Sequence, residues 1–113
     1  MKTILFDLFE CQPAESSKFH GGGEYIKAVF RNLTDKYWGH FHLIVFYDKD
    51  KYLDNWIKEI IYGKNIKEYF IKKVDDISGI FAKERVDIFY SGLPYYYKRD
   101  AIPENVRIKG TIH

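Results

Sequence analysis

Short apolar runs alternate with segments of helical periodicity along almost the whole chain. The runs at residues 4–9 and 41–47 are nearly uniformly apolar, which is typical of strands buried on both faces of a sheet. Apolar residues recur at helical spacing in residues 25–33 and 53–61, and Gly63 is the expected C-cap of the second helix. Alternation of this kind predicts a mostly parallel sheet with helices on both faces, joined by right-handed crossovers.

Weaker segments complete the pattern. A third strand is predicted at residues 68–74, and Asp75 or Asp76 can cap the short helix that follows it. Two further strands are expected at residues 86–92 and 106–112. We therefore expect an α/β fold, a three-layer Rossmann-like sandwich whose five strands lie in the order 3-2-1-4-5.

Composition limits the chemistry and the setting. The chain has 113 residues, enough for a single domain, and its formal net charge of +2 gives no basis for non-specific binding to nucleic acid or to an acidic membrane. Cys11 is the only cysteine, and the four histidines have no metal-binding spacing, so we expect neither a metal nor a cofactor. The first apolar run is too short for a signal peptide, and no segment approaches the length of a membrane span. A cytoplasmic location is expected.

Three consecutive glycines, Gly21–Gly23, open the first helix in the loop after strand 1. Ligands of open parallel sheets bind at this place, outside the carboxyl ends of the strands. A dinucleotide fingerprint fails because Ile26 occupies the position of its third glycine, and the GK[ST] ending of a Walker A loop is absent. Two interpretations stay open: an anion site built from N–H groups at a helix N-terminus, and a flexible helix entrance or close backbone crossing.

Other polar side chains are expected at the same edge of the sheet. Asp7 interrupts strand 1 near its carboxyl end, where it must bond to loop amides or contact an acceptor in the cleft. Tyr95, Tyr96 and Lys98 follow strand 4 and could stack on a sugar or a base, or pack over the sheet edge. His113 ends the last strand, where catalytic side chains of such sheets gather; the alternative is a terminal histidine without a role.

Four segments in this order resemble the N-terminal half of a glycosyltransferase. They are ILFDLFE as a first strand with a late acid, GGGEYIKAVFRNL opening the first helix, VDIFYSG as the fourth strand, and TIH at the end of the fifth. The resemblance is to retaining enzymes of the GT-B fold in glycosyltransferase family 4. That family usually continues the last segment as T-[IV]-H-D, whereas the sequence here stops at His113.

The resemblance implies a function and a set of partners. Enzymes of this family have two Rossmann-like domains facing each other across a cleft, and residues 1–113 would be the truncated N-terminal, acceptor-side domain. Gly22 and Gly23 would approach the diphosphate and sugar of a nucleotide-sugar donor, and His113 would lie near the reacting sugar. The acceptor would be a glycan or a lipid-linked molecule, as in polysaccharide biosynthesis, with the protein in the cytoplasm or at a membrane surface. The missing C-terminal domain would carry most of the donor site, including an E-x(7)-E signature, so we expect the isolated chain to be inactive and to self-associate weakly through its open cleft face.

A non-catalytic, flavodoxin-like binding or signalling module is the alternative. A receiver domain of this kind needs an acidic pair after strand 1, a phosphoacceptor aspartate after strand 3, and a Lys-Pro pair after strand 5. Asp75 follows strand 3, but the sequence has neither the acidic pair nor the Lys-Pro pair.

Overall fold

A computed structural model describes residues 1–12, 21–92, 94 and 97–110. Its centre is one five-stranded sheet in the order β3-β2-β1-β4-β5, and every neighbouring pair of strands is parallel. The strands are β1 (Lys2–Asp7), β2 (Phe41–Tyr47), β3 (Lys67–Phe70), β4 (Ile88–Tyr90) and β5 (Arg107–Lys109). This order confirms the predicted Rossmann-like topology, with β1 at the centre.

In the described part of the chain, three α-helices and three short 3₁₀ turns connect the strands. The helices are α1 (Gly21–Asp35), α2 (Asn55–Gly63) and α3 (Ile77–Lys83), and the 3₁₀ turns are Phe9–Cys11, Val74–Asp76 and Arg99–Ala101. Within the described ranges, no helix combines the length and apolar character needed to cross a lipid bilayer.

The core lies on both faces of the sheet, because alternate residues of each central strand point to opposite sides. On one face Phe6 packs with Phe30 of α1 and Ile57 of α2. On the other face Leu5 and Phe89 pack with α3 and with the segment that leads to β5. The helices therefore cover both faces, as the near-continuous apolar runs predict.

The third strand is shorter than predicted. It ends at Phe70, and Val74, which we expected to end it, begins a 3₁₀ turn. The backbone N–H groups of Lys72 and Lys73 donate to the Asp76 carboxylate at 3.0 and 3.2 Å, so they turn toward the following helix instead of extending the sheet. Local side-chain acceptors of this type compete with strand pairing.

The predicted C-cap at Gly63 is also wrong. Gly63 is the last helical residue of α2, and the left-handed conformation falls two residues later, at Asn65 with φ of 56°. The Ile66 N–H donates to the Ile61 carbonyl at 2.9 Å and the Asn65 N–H to Tyr62 at 3.3 Å, which is the Schellman pattern. Asparagine is the non-glycine residue that adopts this conformation most readily, and the sequence pattern favoured the glycine instead.

Candidate functional site

The carboxyl ends of all five parallel strands lie along one edge of the sheet, here called the carboxyl edge. The chain order reverses between β1 and β4, since β2 and β3 lie on one side of β1 and β4 and β5 on the other. A crevice forms at such a switch point, and ligands of open α/β sheets bind there. The site is therefore sought where the loops after β1 and β4 meet.

Helix α1 begins beside this switch point. Its helical backbone starts at Gly21, so Gly22 and Gly23 lie in the first turn, where backbone N–H groups have no partner within the helix. Gly92, just after β4, approaches the second turn so closely that an added Cβ would lie 2.7 Å from Cγ1 of Ile26. This contact positions the N-terminal end of α1 against the β4 loop, at the β1–β4 boundary.

Asp7 is the buried polar centre of the carboxyl edge. Its side chain has no solvent exposure, and its Oδ2 accepts hydrogen bonds from the Ser91 hydroxyl and the Tyr97 hydroxyl, both at 2.7 Å. Its Oδ1 accepts from the Glu10 N–H at 3.0 Å, and the Phe9 N–H donates to the same carboxylate. Burial raises the pKa of Asp7 to about 6, although all four donors favour the ionised form. Asp7 thus joins the end of β1 to the loops after β1 and β4.

Glu10 is a second acid at this edge, which we did not identify from the sequence. It lies on the 3₁₀ turn after β1 and is partly buried. Burial, and then the negative charge of Asp7, raise the pKa of Glu10 to about 7, against the opposing charge of Lys51. A carboxyl group that titrates near neutral pH can take up or release a proton during a reaction. The sequence signal for this pair was that Asp7 and Glu10 lie three residues apart at the end of a buried strand.

The loops after β1, β2 and β3 are tied together. The Gln12 side chain makes two hydrogen bonds to the Asp48 backbone, donating from Nε2 to the carbonyl at 2.7 Å and accepting at Oε1 from the N–H at 2.8 Å. Lys72 then donates to Asp48 Oδ1 at 2.9 Å. Burial alone would raise the pKa of Asp48, but the bonds from Lys72 and the Asp50 N–H keep it below its usual value. These contacts hold the three loops at the carboxyl edge in fixed positions relative to one another.

A buried lysine fixes α1 to α2. The ammonium of Lys27 lies 3.2 Å from Glu24 Oε1 and 3.1 Å from Asp54 Oδ1, and Trp56 Nε1 donates to the second Asp54 oxygen at 3.1 Å. Since Lys27 belongs to the second turn of α1, the pairing also limits where the glycine turn can lie.

Three of the predicted site residues are not described, and a fourth pairs with a residue after β3. Tyr95, Tyr96 and His113 lie outside the residues that the structure describes. Lys98 is described; its side chain is exposed, and its Nζ lies 3.9 Å from Asp75 Oδ1, just before α3. The structure therefore brings Asp7 and the start of α1 to the switch point, and pairs Lys98 with Asp75.

Neither metal nor thiol chemistry is indicated by the described residues. Across the described ranges, no three side chains of the metal-ligating types come together. Cys11 is buried with its Sγ 3.8 Å from the Asp7 carbonyl oxygen, and burial raises the pKa of its thiol well above the usual value. A neutral thiol is a poor nucleophile.

No family model, curated protein or solved structure matches this chain. The function of the chain is therefore inferred from its topology and from the geometry of the carboxyl edge.

Proposed function

We propose that the chain is the N-terminal, acceptor-side domain of a retaining glycosyltransferase of the GT-B fold, similar to family 4. The observation that carries this proposal is the start of α1. The helix begins within the glycine run, and Gly92 and Ile26 hold it against the loop after β4 at the switch point. Glycine is costly in a helix, and a need for a ligand to approach the backbone N–H groups closely would account for three glycines in a row.

In this proposal Gly22 and Gly23 lie against the donor diphosphate. Side chains at these positions would hold a phosphate away from the backbone. As the sugar is transferred, negative charge grows on the leaving nucleoside diphosphate, and N–H groups directed at it lower the barrier. His113 would lie near the reacting sugar, and Tyr95, Tyr96 and Lys98 would contact the acceptor. The donor would be a nucleotide sugar, and a second Rossmann-like domain would supply most of its binding site.

Asp7 has a positioning role in the proposed site. Its hydrogen bonds to Glu10, Ser91 and Tyr97 hold the loops after β1 and β4 on either side of the crevice. Glu10 is the acid with the better access to solvent, since it is only partly buried. Its raised pKa makes it the better candidate for exchanging a proton with an acceptor hydroxyl.

A non-catalytic binding or signalling module is the competing proposal. Its flavodoxin-like form has the strand order 2-1-3-4-5, so the order 3-2-1-4-5 found here favours the transferase over that form. The reading frame beyond codon 113 distinguishes them. A second Rossmann-like half that contains E-x(7)-E supports the transferase, and a stop codon directly after His113 supports the binding module.

The role of the glycines is tested in the two-domain protein with Gly23→Ala. The added methyl group should hold the phosphate away from an N–H donor, and losing one donor to the developing charge should lower kcat by about 10²–10³-fold. Gly63→Ala is the matched control, since an added Cβ there meets nothing within 4 Å. A rate for Gly23→Ala within about threefold of the wild type, a small change on the barrier scale, would mean that these glycines do not bind the diphosphate.

A further inference from the structure

Exposed aromatic and basic side chains gather at the edge of the sheet opposite the carboxyl edge. At this amino edge the parallel strands begin and helices α1 and α2 end. Four of the eight large hydrophobic side chains that are exposed among the described residues lie here: Met1, Tyr37, Trp38 and Tyr62. Their exposed fractions are 73%, 52%, 38% and 91%.

Lysine side chains lie at the same edge as these residues. An open hollow of about 390 Å³ separates the turn after α1 from the start of β3, and its walls include Met1, Trp38, Phe41, His42, Lys64 and Lys67. The Lys64 ammonium lies 5.1 Å from the centre of the Trp38 ring. Lys2 and Lys36 are also exposed at this edge.

The acids at this edge pair with only one of these lysines. Glu84 pairs with Lys67 at 2.5 Å, Asp35 is exposed in the last turn of α1, and the partly buried Asp87, just before β4, accepts a hydrogen bond from the Thr3 N–H at 2.8 Å. Lys2, Lys36 and Lys64 make no ion pair with any described residue. Lysines beyond helix ends complement the helix dipole, which accounts for Lys36 and Lys64 singly. The helix dipole accounts neither for Lys2, which begins β1, nor for the nearly complete exposure of the Tyr62 ring.

We propose that the amino edge docks on a membrane that contains anionic lipid. Tryptophan and tyrosine partition to the headgroup level of a bilayer because their rings combine an apolar body with a polar atom. Lysines near such a surface are attracted by anionic headgroups. The net charge of +2 conceals this arrangement, because acids elsewhere in the sequence offset the cations that the fold brings to one edge.

Docking in this orientation leaves the carboxyl edge open. The six residues of β1 span about 20 Å at the usual rise of a strand. The crevice at the switch point would thus stay clear of the bilayer, available to water-soluble ligands. The inference does not depend on the proposed transferase function.

Vesicle binding by the chain of residues 1–113 tests the proposal. Vesicles of pure phosphatidylcholine are compared with vesicles that contain about 30% phosphatidylglycerol, at low salt and at high salt. We expect co-sedimentation only with the anionic vesicles and loss of binding at high salt, since salt screens exposed charges. Absence of binding to the anionic vesicles at low salt would overturn the proposal.

Charge variants locate the binding surface. Lys36→Glu with Lys64→Glu should weaken binding at least tenfold, since each lysine near an anionic surface contributes about fivefold. Lys49→Glu with Lys73→Glu is the control, because it changes the net charge equally at the carboxyl edge. Equal loss in both double variants would show that net charge alone drives binding and would contradict a docking surface. Tyr62→Ser changes a side chain that is 91% exposed, and it should weaken binding about threefold or more.

The fluorescence of Trp38 reports its position directly. The chain has two tryptophans, so Trp56→Phe leaves Trp38 as the only one. Its emission should shift to shorter wavelength on anionic vesicles. An unchanged emission during co-sedimentation would show that the amino edge is not the surface in contact with the lipid.

Discussion

The Tyr97 hydroxyl donates a 2.7 Å hydrogen bond to the buried carboxylate of Asp7, joining two residues that lie 90 positions apart in the sequence. Ser91 donates to the same oxygen. These two bonds connect the end of the central strand β1 to the loop after β4, on opposite sides of the switch point. The width of the crevice at which we place the ligand therefore depends on the geometry around one carboxylate.

Removing the Tyr97 hydroxyl should destabilise the fold. Tyr97→Phe keeps the ring, which packs against Phe89 and Phe46, and deletes the hydroxyl that donates to Asp7. We expect a loss of about 1.5–3 kcal/mol in the free energy of unfolding at pH 7.5, the range for hydrogen bonds to charged groups. Chemical denaturation measures this loss. Tyr62→Phe is the control, since that ring is exposed, and it should change stability by less than about 0.5 kcal/mol. Equal effects of the two substitutions would contradict the role of the Asp7 bond.

Stability should depend on pH through Asp7. Its folded-state pKa of about 6 lies above the ordinary value of 3.8, so the folded state binds the proton more tightly than the unfolded state. The resulting stabilisation is fully present below about pH 4 and is lost as pH rises through about 6; two pKa units correspond to about 3 kcal/mol.

The difference in unfolding free energy between wild type and Asp7→Asn isolates this contribution. Relative to Asp7→Asn, the wild type should gain stability as pH falls from 7.5 to 4.5. Glu10→Gln should be measured in parallel, because the Asp7 charge also raises the pKa of Glu10. A difference that stays constant over this range would show that Asp7 has an ordinary pKa.

A methyl group at Gly92 should disturb the packing of α1 against the loop after β4. The Cβ of Gly92→Ala would lie 2.7 Å from Ile26 Cγ1, so Ile26 or the helix must move, and we expect a loss of about 1–3 kcal/mol. Gly79→Ala is the matched control, because it lies within α3 with nothing within 4 Å of an added Cβ. That substitution should stabilise the chain by about 0.5–1 kcal/mol. Thermal denaturation of both variants checks the pair, and a neutral Gly92→Ala would mean that the β4 loop does not position α1.

The sequence predicts the sheet well because its signal is local. Nearly uniform apolar runs at 4–9 and 41–47 identify strands buried on both faces, and these runs correspond to the neighbouring strands β1 and β2. The end of β3 was missed because the Asp76 carboxylate competes for the N–H groups that would extend the strand. Whether these N–H groups bond to Asp76 or to a neighbouring strand depends on side-chain geometry, which the periodicity of apolar residues does not reveal.

The site was less predictable because its contacts are distant in sequence. The position of Asp7 near the end of β1 indicated that it needs hydrogen-bond donors. Nothing in the sequence distinguishes Tyr97 from the other nine tyrosines as one of those donors. The raised pKa of Glu10 depends on burial, and the basic amino edge depends on bringing three separate segments together. These properties appear only when the chain is folded.

Nuclear magnetic resonance on the chain labelled with ¹⁵N-glycine tests whether the glycine turn of α1 binds a diphosphate. The chain has eight glycines, so their amide signals can be followed individually during a titration with sodium pyrophosphate, against sodium sulfate at equal ionic strength. We predict that the signals of Gly21–Gly23 shift with pyrophosphate at a dissociation constant of about 1 mM or weaker, equivalent to about −4 kcal/mol. The signals of Gly63 and Gly79, on α2 and α3, should stay in place. Glycine signals that do not move up to about 20 mM pyrophosphate, well above that dissociation constant, or that all move equally with both salts, would contradict the claim.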